Sequence, residues 1–192
     1  MSPVVLTYDS TNYYLIRLAD GWLMGDTGWA GTLPTLLHLL KRKDIDAREI
    51  RYLVITHFHP DHCGLAQDLK DCGATLVVHE CQVPFTSEAQ RFFKPHHNFR
   101  PIETAGNLVV TSPESRVVLA REGIAGEVIA TPGHTADSVS LIIDARCAFT
   151  GDLPRAAMVD AVKTPEVQES WRRIRSFKVE KVYPAHGTAF SL

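Results

Sequence analysis

Apolar positions along the chain recur with two periods. Short apolar runs occupy residues 4–7, 13–18 and 22–25, with Asp20-Gly21 between the second and third. They predict three strands, the last two joined as a hairpin through the Asp-Gly turn. Across residues 32–41 the period lengthens: Leu33, Leu36, Leu37 and Leu40 share one helical face, and Pro34 stands in the first turn. That leucine stripe reads as core. Residues 50–56, 65–71 and 75–79 then read as strand, helix, strand. Later strand-like runs fall at 128–130, 139–143, 147–149 and 179–182, with a helix expected over 166–176. Strands alternating with helices place the chain in the α/β class.

Several of these strands run into turns that carry metal-type donors. Tyr52-Leu53-Val54-Ile55 leads into Thr56-His57-Phe58-His59-Pro60-Asp61-His62. Imidazole is the commonest metal-binding side chain, and a mixed imidazole/carboxylate set suits zinc and the borderline first-row metals. His57 and His59 project to one side if the strand conformation persists. Pro60 turns the residue before it away from helix. Asp61 is expected as a helix N-cap, with His62 opening the helix. Three further turns repeat the theme: Thr131-Pro132-Gly133-His134-Thr135, Phe149-Thr150-Gly151-Asp152 and Tyr183-Pro184-Ala185-His186-Gly187. Alone, each of the three donors reads as a capping or surface group. Together, on adjacent strand ends, they would meet at one rim. His57, His59, Asp61, His62, His134, Asp152 and His186 exceed what one tetrahedral ion takes and fit two ions about 3.5–4 Å apart sharing a carboxylate.

With His57-x-His59-x-Asp61-His62 followed by His134, Asp152 and His186, and the Gly25-Asp26-Thr27-Gly28 turn upstream, the chain resembles the metallo-β-lactamase-fold hydrolases almost end to end. The resemblance implies an αββα sandwich over residues 1–192 as one domain. It implies that His57, His59 and His134 hold one zinc, that Asp61, His62 and His186 hold a second, and that Asp152 bridges. Iron or manganese would suit the same donors. Asp26 matches a position that braces the metal loop, although by local pattern it reads as an ordinary turn aspartate. The implied activity is hydrolysis of a small thioester or ester carbonyl by a metal-bridging hydroxide, similar to glyoxalase II, with Asp61 also handling the proton.

Departures from the family patterns shape the substrate expectation. The chain ends soon after His186, without the helical extension that carries glutathione contacts in longer glyoxalase II-like members. Lactonases of homoserine lactones share the donors but carry a tyrosine after the bridging aspartate, where Leu153-Pro154-Arg155-Ala156-Ala157 stands. A lactonase is therefore one alternative. An iron-dependent sulfur dioxygenase-like redox enzyme is another, and a metal-stabilised binding protein without catalysis is a third.

Composition adds exclusions. A balance of 20 Lys and Arg against 22 Asp and Glu gives net charge −2, which does not favour nucleic acid as a partner. Cys63, Cys72, Cys81 and Cys147 form no Cys-x-x-Cys pair and read as free thiols. Cys63 follows the donor motif but reads as a small packed residue. No apolar run approaches the roughly 20 residues of a membrane span, and the N-terminus shows no secretory signal, so a cytoplasmic protein with a small-molecule substrate is expected. The oligomeric state is left open. His79 reads as a local polar contact. The stretch from Arg91 to Arg100 carries two open readings. Either Phe92, Phe93 or Phe99 walls a substrate site with Lys94 or Arg100 meeting a carboxylate, or the stretch is a helix end stopped by Pro95 with its aromatics packed inward.

Overall fold

Alternation of side chains along the strands sorts them into two stacked sheets. The computed structural model describes residues 2–158 and 164–192. The first sheet contains β1 (Val4–Tyr8), β2 (Thr11–Arg17), β3 (Trp22–Gly25), β4 (Ile50–Val54), β5 (Thr75–His79) and β6 (Leu108–Val110), in that spatial order. Its first three strands are antiparallel, and β3 to β6 run parallel. The second sheet contains β7 (Gly126–Ala130), β8 (Val139–Ile143), β9 (Cys147–Gly151), β10 (Lys181–Pro184) and β11 (Phe190–Ser191), ordered β11-β10-β9-β8-β7. Only β9 and β10 pair parallel there.

Three apolar layers follow from the strand period. On the outer face of the first sheet, Leu15, Met24, Leu53, Leu76 and Val78 pack with Leu36 and Leu40 of α1 (Leu33–Lys41). Leu65, Ala66 and Leu69 join them, next to α2 (Pro60–Cys63) and within or beside α3 (Ala66–Asp71). Between the sheets, Tyr14, Ile16, Leu23, Val54 and Val77 meet Val128, Val139, Leu141 and Phe149. On the far face, Ile129, Ile142, Ala148 and Val182 receive Val167, Trp171 and Ile174 of α6 (Pro165–Ser176). The layers therefore stack helix, sheet, sheet, helix. α4 (Val83–Thr86) follows β5, and α5 (Ser112–Arg121) lies against β6 and β7, with Leu119 entering the intersheet core. Among the described residues no helix is long and apolar enough to cross a membrane.

The differences from the sequence pattern are local. Leu37 is 40% exposed, so the leucine stripe of α1 buries only part of its width. β4 ends at Val54 because Asp26 takes the Thr56 N–H out of the ladder. The helix after the donor motif splits into α2 and α3. Between them Gly64 packs against the turn that follows β3, where a Cβ would sit 2.4 Å from the Gly28 carbonyl oxygen. Its N-cap is His59, not Asp61: Pro60 takes the first helical position, where its missing N–H costs nothing, and Asp61 falls in the first turn. Residues 91–100 contain no α-helix; the 3-10 turn Ala89–Phe92 ends within them and a second, Pro95–His97, follows. All four cysteines are free, and Cys63 is a core residue whose thiol pKa burial pushes up.

Candidate metal centre

The ends of β4, β9 and β10 and the turn after β7 converge on one rim of the sandwich, where the side chains predicted from the sequence come together. Donor atoms of His57, His59 and His134 lie within 4.8 Å of one another, as do those of Asp61, His62 and His186. His59 Nδ1 is 3.1 Å from His134 Nε2. His62 Nε2 and His186 Nε2 are each 3.3 Å from Asp61 Oδ2. Asp152 lies between the two sets and divides its oxygens. Oδ2 is 3.5 Å from His134 Nε2 and 4.0 Å from His57 Nε2. Oδ1 is 3.5 Å from His62 Nε2 and 3.3 Å from His186 Nε2.

These residues fit bound cations. Zinc bonds of about 2.0–2.1 Å to imidazole nitrogen and carboxylate oxygen set tetrahedron edges near 3.3–3.4 Å, close to most of these spacings. Buried polar atoms normally find partners. Here His57 Nε2, His62 Nε2 and Asp152 Oδ1 are buried and make no hydrogen bond. All three point into the cluster.

The site grades from closed to open. His62 and His57 side chains are 0% and 1% exposed, whereas His186 is 43% exposed. Burial, aided by neighbouring imidazoles, drives the His57 pKa well below its ordinary value and keeps its nitrogen lone pair free. His59 is lowered for the same reasons. Burial also opposes charge on His62, but Asp26, Asp152 and Asp61 outweigh it and raise the pKa. Burial opposes ionisation of Asp61 and Asp152 as well. The imidazoles around them, led by His62, more than offset it and hold both carboxyls below the usual range.

Asp26 ties the turn after β3 to the donor loop. It is 3% exposed, its backbone has φ 58°, and its carboxylate accepts from Thr56 N at 2.7 Å and from Thr56 Oγ1. The same carboxylate lies 3.0 Å from His62 Nδ1, which turns Nε2 of that ring toward Asp61 and Asp152. The local pattern alone suggested an ordinary turn residue; the strained φ and the distant partners are tertiary facts. Residues not singled out from the sequence also matter. Thr11 Oγ1 donates to Asp61 Oδ2, and Asp137 Oδ2 accepts from Phe58 N. Asp137 stands three residues after His134, which is the only sequence signal either one offers.

The stretch from Arg91 to Arg100 divides between its two readings. The Phe92 ring lies edge-on to His59 at 5.3 Å, beside a cavity of about 190 Å³ lined by Phe58, His59, Phe85, Arg91 and Asp137 among others. Phe93 and Phe99 instead stack on each other against the core. Arg100 is paired with Asp71 and Asp68, so it is engaged within the fold. On the other flank, His134, Asp152, His186, Arg155 and Met158 line a cavity of about 290 Å³. Cys63 and His79 stay outside the cluster; the His79 ring contacts Cys81 and Ser112.

An αββα sandwich with a His/Asp donor cluster at one rim defines a class of metal-binding α/β proteins. The chain belongs to the metallo-beta-lactamase superfamily, whose family model matches residues 6–186. The Beta-lactamase-like protein 2 homolog of Caenorhabditis elegans is 24% identical over 188 residues, covering 97% of this chain and 59% of its own. The atrochrysone carboxyl ACP thioesterase dmxR1 of a Cryptosporiopsis species is 26% identical over 194 residues, covering 97% of this chain and 52% of its own. The chain thus spans little more than half the length of these curated relatives. Among solved structures, TTHA1623 in a di-iron-bound form superposes with a TM-score of 0.71 at 22% identity, covering all of this chain and 94% of that one. Its likeness supports the fold.

Proposed function

We propose that the chain is a two-metal hydrolase of small thioesters or esters, with His57, His59 and His134 holding one zinc, Asp61, His62 and His186 holding the other, and Asp152 shared. The observation that carries this reading is the division of the Asp152 oxygens between two donor sets. The printed name of the thioesterase relative lends support to the thioester class. Zinc bound there supplies Lewis acidity and lowers the pKa of water to about 7.

The protein's own side chains supply the rest. Asp61, with Oδ2 fixed by the Thr11 hydroxyl, is placed to orient attacking water and relay its proton to the leaving group. Phe92 gives the His59 side an apolar wall. Arg155 lines the opposite cavity beside Asp152 and His186 and gives an anionic arm of the substrate a cation to meet. A substrate carbonyl lying across Asp152 would then have an apolar end near Phe92 and an acidic end near Arg155.

The test is metal content per chain together with turnover of a panel of thioesters, esters, lactones and β-lactams, with and without chelator. Two equivalents of zinc and chelator-sensitive thioester or ester hydrolysis are expected. No turnover of any thioester, ester or lactone by metal-replete protein would end the reading. Iron in the same donors is the second reading, favoured by the di-iron form of TTHA1623. Bound iron with oxygen uptake on a persulfide would favour it.

A further inference from the structure

The two donor sets both straddle the sandwich. His57, His59, Asp61 and His62 follow β4 of the first sheet, whereas His134 and His186 follow β7 and β10 of the second. Each set can therefore hold a cation only if the sheets are kept in register at the rim. Resting on the two-metal reading, we propose that each set has its own intersheet latch, made of residues that ligate nothing: the Ser10-Thr11-Asn12 segment for Asp61 and His186, and the Asp137–Gln82 pair for His57, His59 and His134.

The first latch lies where the turn between β1 and β2 enters β2. Asp9 and Ser10 adopt positive φ of 49° and 63°, the conformation of a tight hairpin turn. That turn places three successive residues on the second donor set. The Ser10 carbonyl accepts from His186 Nδ1 at 2.9 Å, which leaves Nε2 facing the cluster. Thr11, fully buried, donates its hydroxyl to Asp61 Oδ2 at 3.1 Å. Asn12 donates its backbone N–H to the Ala185 carbonyl at 2.7 Å and its side-chain amide to the Gly187 carbonyl at 2.9 Å. The hairpin thus grips Asp61 from the first sheet and the His186 turn from the second.

The other latch is built from two buried polar side chains. Asp137 Oδ2 accepts from Phe58 N, the residue between His57 and His59, at 2.8 Å. Gln82 Nε2 donates to the Ile55 carbonyl at 2.9 Å and to the Asp137 carbonyl at 3.1 Å, and its Oε1 accepts from His79 N at 3.2 Å. Gln82 is 1% exposed and Asp137 is 4% exposed. Val139 N donating to the Thr56 carbonyl at 2.8 Å completes the seam. Buried polar groups this fully engaged fix one arrangement of the segments they join. No residue of either latch reaches into the other.

The test is zinc affinity by competition with a chromophoric chelator, read for the tighter equivalent in backgrounds that weaken one set. His59→Ala leaves the second set whole, and His186→Ala leaves the first whole. In the His186→Ala background, Asp137→Ala is expected to weaken zinc about 10–100-fold, as loss of a group orienting a metal ligand does, while Thr11→Val changes it less than about threefold. In the His59→Ala background the order reverses. Asp137→Asn and Thr11→Ser, which keep an acceptor and a hydroxyl, are expected to restore affinity; thermal melting in chelator verifies the fold. Should Asp137→Ala fail to fold, Gln82→Met opens the same latch and carries the same expectation. Equal weakening in both backgrounds, or none in either, would overturn separate latches while leaving the two-metal reading intact. Wild-type protein that takes up no zinc would overturn both.

Discussion

Replacing Asp26 by Asn removes one charge and swaps one oxygen for an amide, and the structure says what each change does. Oδ1 accepts from Thr56 N at 2.7 Å, so the retained amide oxygen must stay there; the reverse orientation would set N–H against N–H. The new amide group then lies where Oδ2 now stands, 3.0 Å from His62 Nδ1. With a cation bound, the neutral His62 ring keeps its single proton on Nδ1 toward Asp26; an amide donates there, so Nδ1 must accept and that proton is driven to Nε2. That is the nitrogen facing Asp61 and Asp152, the one a cation needs. Returning the proton to Nδ1 breaks the new hydrogen bond and opposes two donors, at a cost of about 1–3 kcal/mol. At 1.36 kcal/mol per tenfold, zinc affinity of the second set falls by roughly 5–150-fold. Stability of chelator-treated protein falls less, by about 1–2 kcal/mol, because a charge-assisted bond becomes a neutral one and every partner stays paired. Zinc competition titration and urea unfolding in chelator measure the two quantities. If the Asn variant binds two equivalents as tightly as wild type, the tautomer argument for His62 is wrong.

Other consequences are equally concrete. Gly151 has φ +53°, and a Cβ there would lie 2.4 Å from Thr56 Oγ1, so Gly151→Ala should cost at least about 1–3 kcal/mol and disturb the adjoining Asp152; an unchanged melting temperature contradicts this. Because carboxylates hold a proton on His62 that a cation must displace, zinc uptake at pH 7 should release protons and tighten as pH rises. Calorimetry in two buffers of different ionisation enthalpy reads this, and buffer-independent heats would refute it. Arg116 holds the Asp144 carboxyl below its usual range. The stability from that pair is present above the unfolded carboxylate value near 3.9 and is lost as pH falls through the lower folded value. Asp144→Asn should therefore cost about 0.5–1 kcal/mol at pH 7, given the partial exposure of the pair, and progressively less below pH 4. An equal cost at pH 7 and pH 2 in urea unfolding would count against it.

What the sequence revealed and what it concealed divide along a physical line. The donors were legible because coordination chemistry restricts residue type, and because a strand followed by a turn is a local pattern: His57, His59, Asp61 and His62 lie within six residues after β4, and His134, Asp152 and His186 each follow a strand. The layers were legible because period-two alternation survives in β2, β4, β5 and β8, whose successive side chains do enter opposite layers. The holding residues were not legible, since any polar side chain of suitable length can supply one hydrogen bond and its partner lies far along the chain. Thr11 meets Asp61, Asp137 meets Phe58, and Asn12 meets Gly187, a separation of 175 residues. Asp26 shows the boundary case: its turn was visible, but its buried contacts to Thr56 and His62 belong to the assembled rim. Even the His59 cap, against the expected Asp61, follows from Pro60 preferring the first helical position. Specificity for a cation is thus written in residue identity, whereas the geometry that makes the cation useful is written in the register of two sheets, which only the folded chain possesses.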